Sequence, residues 1–134
     1  MAGTIVANTL NTDTVGAVFT TQNAVTGIAK AWVQLSGSAT PTINGSFNVS
    51  SITRNSAGDY AINFTTDMAN INYSAVVSTT IDSSSSNYMT AQSFAKTAAP
   101  YYLAPTTSSF GVTFVTSGGV YKDPYYASIA IFGA

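Results

Sequence analysis

SITRNSAGDYAINFT, residues 51–65, is the stretch that decides the fold class of this chain. Its second half alternates strictly, with Tyr60, Ile62 and Phe64 on one face of an extended segment and smaller or polar residues on the other. The run at residues 55–58, Asn-Ser-Ala-Gly, favours a turn before that half. The stretch therefore predicts an antiparallel β-hairpin with one buried face.

Short runs rich in Val, Ile, Thr, Tyr and Phe recur along the chain between clusters of Gly, Asn, Ser and Pro. Such runs are typical of short antiparallel strands. The number and spacing of these runs predict an all-β sandwich or barrel. The strand count favours an antiparallel, jelly-roll-like β-sandwich. The strand order stays open. Besides the hairpin, the predicted strands cover residues 31–35, 42–49, 73–81, 88–94, 109–116 and 128–132, with a turn or bulge expected at Asn44 and Gly45.

The chain contains no His, no Cys and no Glu. His is the usual acid–base group near neutral pH, and His and Cys are the preferred zinc ligands. Five scattered Asp residues are the only acidic side chains, and we expect them in turns and at strand ends rather than as a catalytic pair. The sequence predicts no catalytic residue, no metal site and no cofactor, although an ion shared by Asp residues of several subunits stays open.

Charged residues make up only 7% of the chain. The four cations, Lys30, Arg54, Lys96 and Lys122, are too scattered for the basic patch that duplex nucleic acid requires. A surface with so little charge repels its own copies weakly, which favours self-association. No apolar run is long enough for a membrane-spanning helix, and the N-terminus lacks the pattern of a secretory signal, so we expect synthesis in a cytoplasm.

Residues 1–29 differ in composition from residues 30–134. They are rich in Thr, Asn, Ala and Gly, with scattered apolar residues such as Ile5 and Leu10. Two interpretations stay open: a frayed terminus, or an extended arm that packs on a neighbouring subunit. Because apolar residues persist through the segment, we favour the arm, followed by one β-sandwich domain over residues 30–134.

Five of the tyrosines lie in two loop-like stretches outside the alternating strands. A tyrosine presents a broad apolar face and a hydroxyl, which suits contacts with carbohydrate or protein. The alternative is that these rings cap the core or fill a seam between subunits. Trp32, the one tryptophan, lies in an apolar run, and we favour a place in the core over a ligand-binding platform. The candidate binding residues are Tyr101, Tyr102, Tyr121, Tyr125 and Tyr126.

Three segments carry a resemblance to a known kind of module. They are KAWVQLSG at residues 30–37, SFNVSSITRN at residues 46–55 and GDYAINFTTDM at residues 58–68, followed by Asn72-Tyr73. Together they resemble a module of bacteriophage tail-fibre and related virion proteins. The closing SIAIFG at residues 128–133 resembles the usual end of that module. Residues 82–127 depart most from it, and in receptor-binding modules host-specific loops are expected there.

The resemblance implies an all-β, homotrimeric virion component without catalytic residues, assembled in the host cytoplasm. Since Met1 precedes the module by only 29 residues, we expect a short fibre tip, a head fibre or a decoration protein rather than a long-shafted fibre. The first hypothesis is a tail-fibre-like or receptor-binding protein that contacts a host-surface glycan or protein, or other virion proteins. The second is a capsid or tail decoration protein that stabilises the particle and has no receptor. A saccharide-cleaving enzyme is disfavoured by the missing His and Glu.

Overall fold

The computed structural model describes residues 9–11, 18–20, 27–80, 88–96 and 102–133. Ten β-strands lie within these ranges. In chain order they are β1 (Thr9–Asn11), β2 (Val18–Thr20), β3 (Ala29–Ser36), β4 (Thr42–Phe47), β5 (Val49–Ser56), β6 (Asp59–Phe64), β7 (Tyr73–Thr79), β8 (Met89–Ser93), β9 (Ser109–Thr116) and β10 (Ala127–Gly133).

Eight of these strands form two four-stranded antiparallel sheets. The front sheet has the order β4-β3-β10-β7, and the back sheet has the order β5-β6-β9-β8. Strands β1 and β2 pair with each other in a separate two-stranded sheet. The predicted antiparallel β-sandwich is therefore confirmed. The strand order, which the sequence left open, places the last strand β10 between β3 and β7.

The two sheets face each other across one apolar core. Side chains of a strand point alternately to opposite faces, so every second residue of β3 and β10 is buried. The rings of Tyr60 and Phe114 meet edge to face, with centroids 5.7 Å apart. Among the described residues, every buried side-chain nitrogen or oxygen has a hydrogen-bond partner. The buried apolar residues are Ala31, Val33, Leu35, Tyr60, Ile62, Phe64, Met68, Tyr73, Phe110, Val112, Phe114, Ala127, Ile129 and Ile131.

The hairpin that decided the fold class is formed by β5 and β6, with Ile52 opposite Ile62. Tyr60, Ile62 and Phe64 are buried as the alternation predicted. The turn is shorter than predicted, because Ser56 already pairs with Asp59. This hairpin supplies one edge strand and one inner strand of the back sheet.

The predicted strand at residues 42–49 is wrong in one respect, because the chain changes sheets at Asn48. Asn48 has a φ of 55° and separates β4, in the front sheet, from β5, in the back sheet. Its amide group donates to the carbonyls of Lys30 and Thr66, and its side-chain oxygen accepts from the Thr66 N–H at 2.8 Å. Asn tolerates this left-handed conformation better than most residues, which suits it to the corner.

The expected irregularity at Asn44 and Gly45 is confirmed as a shift in strand register. Gln34 pairs with Gly45 and the next residue, Leu35, pairs with Ile43, so that Asn44 is the extra residue. The Asn44 amide donates to the Ser36 hydroxyl at 3.1 Å. Gly45 consequently lies on the outer face of the front sheet.

The sandwich has two distinct ends. Ala29 lies beside Phe132 at one of them, where β3 starts and β10 finishes, and we call this the terminal end. Leu35 lies beside Ala127 at the other, which we call the loop end because the segment between β9 and β10 lies there. The eight residues of β3 separate the two ends by about 23 Å at ~3.3 Å per residue.

The predicted N-terminal arm falls mostly outside the described residues. Of its residues 1–29, β1 and β2 are described as backbone strands that pair with each other, Gly27 and Ile28 lead into β3, and Ala29 begins it. The arm, the domain boundary and the homotrimer stay predictions. No helix in the described part of the chain is long and apolar enough to cross a membrane.

Replacing Gly58 should destabilise the protein more than replacing another left-handed glycine. Gly58, in the β5–β6 turn, has a φ of 69°, and a Cβ there would lie 2.5 Å from the Phe114 carbonyl oxygen. We expect Gly58→Ala to lower the free energy of unfolding by about 3 kcal/mol, through left-handed strain of ~1–2 kcal/mol and displacement of β9. Urea unfolding measures the change.

Gly119→Ala is the matched control. Gly119 has a φ of 78°, but a Cβ there would have nothing within 4 Å. Gly119→Ala should lower the free energy of unfolding only through the left-handed backbone strain, by about 1 kcal/mol. Equal losses of unfolding free energy in Gly58→Ala and Gly119→Ala would contradict the close approach of β9 to the β5–β6 turn.

Candidate functional site

Trp32 lies on the outer face of the front sheet, so its predicted place in the core is wrong. Its side chain is 42% exposed, while its neighbours Ala31 and Val33 are buried. The alternation in β3 explains this, because Trp32 shares a face with Gln34 and not with the core residues. Together with the exposed Phe47 and Val76 of the same sheet, the exposed indole marks a candidate interaction surface.

Two rows of side chains cross this outer face. In the apolar row, Phe47, Trp32, Ala130 and Val76 are consecutive cross-strand neighbours on β4, β3, β10 and β7. The indole leans toward β4, and a Cβ on Gly45 would contact its six-membered ring at 3.5 Å. The surface above Ala130 is left open between Trp32 and Val76.

The second row is polar and runs parallel to the first. Gly45, Gln34, Ser128 and Ser78 are cross-strand neighbours, two residues further along each strand. The side chains of Gln34, Ser78 and Ser128 make no hydrogen bond to one another or to any other residue that the structure describes. They are therefore available to a ligand or to water.

Both rows line a shallow groove of about 520 Å³. Its walls are Trp32 and Val76, and its floor is Ala130 and Ser128. The two walls stand two strands apart, which is roughly 9–10 Å at the usual strand spacing. We call this the indole groove. None of the described residues that line it carries a charged side chain.

A second groove of about 250 Å³ continues toward the loop end. It shares Gln34, Ser78 and Ser128 with the indole groove and adds Thr80 and Tyr126. We call it the tyrosine groove. Its lining within the described ranges is likewise uncharged. Tyr126, a residue that the sequence marked for binding, therefore borders the same surface as Trp32.

The five candidate tyrosines do not form one cluster. Tyr101 lies outside the described residues, and Tyr102, 63% exposed, bridges to Ala95 near the terminal end of the back sheet. Tyr121 bridges to Val115 near the loop end. Tyr125 and Tyr126 contact each other edge to face at 4.7 Å and are both exposed. The structure thus places Tyr126 on the front-sheet surface and separates Tyr102 from it.

An ionic network holds the loop that carries Tyr125 and Tyr126. Arg54 donates to both carboxylate oxygens of Asp123, at 3.0 and 2.9 Å. The Gly58 N–H and the Tyr60 hydroxyl donate to the same carboxylate, at 2.9 and 2.6 Å. Charge-assisted bonds of this kind are short and directional. They fix the segment before β10 against the β5–β6 hairpin.

The network shifts the pKa of each of its members. Burial alone would raise the pKa of Asp123, but hydrogen bonds from Arg54, Gly58 and Tyr60 outweigh it and hold that pKa below its ordinary value. Burial and the Asp123 carboxylate raise the pKa of Tyr60, so its hydroxyl stays protonated and donates. The hydrogen bond to Asp123 raises the pKa of Arg54. The three groups that donate hydrogen bonds to the Asp123 carboxylate therefore all stay protonated near neutral pH.

The described residues of the two grooves offer ring faces, hydroxyls and one side-chain amide. The Asp123 carboxylate is engaged by three protein groups, and within the described residues no group of three His, Cys, Asp or Glu side chains could hold a metal ion. Asp13 and Asp82 lie outside those residues. The described surface suits recognition of a neutral ligand better than acid–base chemistry.

No family model matches this chain, and no curated protein matches it at a significant level. Among solved structures, the chain is similar to the phiAB6 tailspike, which was solved in complex with three-repeated oligosaccharides of Acinetobacter baumannii surface polysaccharide. The match has 17% sequence identity and a TM-score of 0.49, and it covers 87% of this chain and 21% of the tailspike chain. This chain spans about a fifth of the tailspike's length. A likeness of this size establishes no relationship, so the functional proposal rests on the chemistry of the site.

Replacing Asp123 should destabilise the loop end. Asp123→Ala leaves Arg54 unpaired and removes the acceptor of the buried Tyr60 hydroxyl, and we expect the free energy of unfolding at pH 7 to fall by about 2–4 kcal/mol. Because the folded-state pKa of Asp123 is depressed, its stabilisation is present above the unfolded pKa and is lost as pH falls through the folded value. The difference from wild type should therefore shrink below about pH 4. Urea unfolding at several pH values measures it.

Asp67→Ala is the matched control. Asp67 is exposed, and the one hydrogen bond recorded for its side chain, from the Thr107 hydroxyl, is long at 3.4 Å. Its removal should change stability by less than about 0.5 kcal/mol. The network would be contradicted if Asp123→Ala lost no more unfolding free energy than Asp67→Ala, or if its loss grew as the pH was lowered.

Proposed function

We propose that this chain is a non-catalytic bacteriophage virion protein that binds a neutral glycan of the host surface through the outer face of its front sheet. The observation that carries the proposal is the indole groove, an uncharged depression with an exposed tryptophan wall and a free row of amide and hydroxyl groups. The phage assignment is supported by the sequence resemblance over residues 30–80. That resemblance implies a homotrimer that is located on the virion.

The groove offers what an uncharged sugar requires. The apolar faces of a sugar ring pack on a flat aromatic ring, and its hydroxyls need donors and acceptors in a fixed arrangement. Trp32 supplies the ring, and the Gln34 amide supplies a donor and an acceptor side by side. Ser78 and Ser128 add hydroxyls that donate or accept. Because the indole lies over Gly45 on a strand paired on both sides, we expect it to lose little conformational entropy on binding.

The two ends of the sandwich support an orientation on the particle. The chain enters β3 at the terminal end, so residues 1–26 connect there. Tyr125 and Tyr126 lie at the opposite end, about 23 Å away by strand length. An attachment arm at residues 1–29 would direct the loop end, and the groove that leads to it, away from the particle.

The second candidate function is particle stabilisation without a receptor. It is favoured by the apolar row, in which Phe47 is 53% exposed, Trp32 42% and Val76 63%. Such a row also suits a seam with another subunit or another virion protein. In that function the indole would be covered in the assembled particle and would not reach a glycan.

Trp32→Ala distinguishes these functions. We expect it to lower affinity for the bound glycan at least tenfold, because the indole groove loses one of its two walls and the one aromatic face among its described lining residues. Binding is measured on an array of defined neutral and anionic oligosaccharides, and for the wild type Trp32 fluorescence is a second readout, since the chain has one tryptophan. Virions that carry the variant should adsorb to host cells more slowly while keeping their thermal stability.

Tyr88→Ala is the control for the loss of an exposed ring. Tyr88 is 82% exposed and lies outside both grooves, so binding and adsorption should be unchanged. Unchanged adsorption of Trp32→Ala virions, together with particles that fall apart at lower temperature, would favour the stabilising function instead. Release of reducing ends from any polysaccharide by the purified protein would contradict a non-catalytic role.

A further inference from the structure

We infer that the indole groove and the tyrosine groove form one track for an uncharged oligosaccharide, with a ring-binding subsite at Trp32 and a second at Tyr126. This inference rests on the proposed function and deepens it. It assigns a minimum ligand length and a second aromatic contact. It also assigns the polar row between them, Gln34, Ser78 and Ser128, to the middle of the ligand.

The continuity of the two grooves carries the inference. Both are lined by Gln34, Ser78 and Ser128, so the two grooves adjoin along this polar row. Ala130, beside Trp32, and Tyr126 are four residues apart along the chain leading into β10. At ~3.3 Å per residue this is about 13 Å, which is longer than one sugar ring. A ligand that contacts both aromatic residues therefore has at least two linked rings.

Tyr126 is held in place by its backbone and by its neighbour. Its N–H donates to the Thr80 hydroxyl at 2.9 Å, and its carbonyl accepts from the Thr80 N–H at 3.0 Å. Its ring contacts the ring of Tyr125 edge to face. Three residues earlier, Asp123 is fixed to Arg54 and Tyr60. The aromatic face at this subsite is therefore positioned before any ligand arrives.

The residues that line the two grooves also indicate which charge the ligand has. Neither groove is lined by a cation, and a carboxylate placed over the polar row would lose water without gaining an ionic partner. Arg54 is already paired with Asp123. Lys30 lies on β3 beyond Trp32, toward the terminal end and away from Tyr126. The track therefore favours neutral hexose or N-acetylhexosamine chains over sialylated or uronate-containing ones.

The test is a length series with two variants. The probes are neutral oligosaccharides of one to six units from the class that binds best on the array, together with a uronate-containing counterpart. For the wild type, we expect affinity to rise with length until both subsites are filled and then to level. Tyr126→Ala should abolish that rise, so that long ligands bind about tenfold more weakly and no better than short ones. Trp32→Ala should weaken binding at every length.

The outcomes separate the inference from the proposed function. If Trp32→Ala loses binding but Tyr126→Ala matches the wild type for every length, the two-subsite track is wrong and glycan binding stands. If the wild type binds no array member, both are wrong. Tighter binding of the uronate-containing probe would overturn the assignment to neutral chains. Tyr88→Ala, outside both grooves, should match the wild type throughout.

Discussion

The pairing of β10 between β3 and β7 is the constraint on which the rest of this structure depends. It joins the last strand of the chain to the first strand of the sandwich and aligns Trp32, Ala130 and Val76 in one row. A slip of one residue would turn Ile129 and Ile131 to solvent and bury Ser128 and Ala130. The core therefore specifies the register, and the register in turn builds the outer surface. The groove is a consequence of core packing on the opposite face of the same strands.

Tyr60 connects the core to the loop end. Its ring is buried against Phe114, while its hydroxyl bonds to Asp123 at 2.6 Å. One side chain thus contributes apolar burial and a donor for a charged acceptor, which Tyr can do at the boundary of a core. Arg54 completes the arrangement from the neighbouring strand. The loop before β10 is therefore fixed by charge-assisted bonds, although charged residues are rare in this chain.

Sparse charge also shapes the proposed recognition. A surface built from Ser, Thr, Asn and Gln side chains around exposed rings supplies hydrogen bonds and stacking with little long-range attraction. Recognition of this kind depends on shape and on the number of linked contacts, so affinity grows by adding subsites along a repeating ligand. A homotrimer would multiply the effect by presenting three such surfaces. The same exposed row, covered by a neighbour, would instead serve assembly, which is why the two functions share residues.

The sequence by itself determined the fold class and most of the strands, because alternation is a local property. The faces of β6 could be read directly from Tyr60, Ile62 and Phe64. Trp32 was misplaced because its apolar neighbours suggested burial, although the same alternation puts it on the face of Gln34. Only the tertiary structure decided the strand order, the corner at Asn48 and the meeting of Arg54 with Asp123, 69 residues apart. It also placed Trp32 and Tyr126 at two adjoining grooves. Such contacts depend on long-range pairing, and no local pattern in the sequence encodes which strands become neighbours.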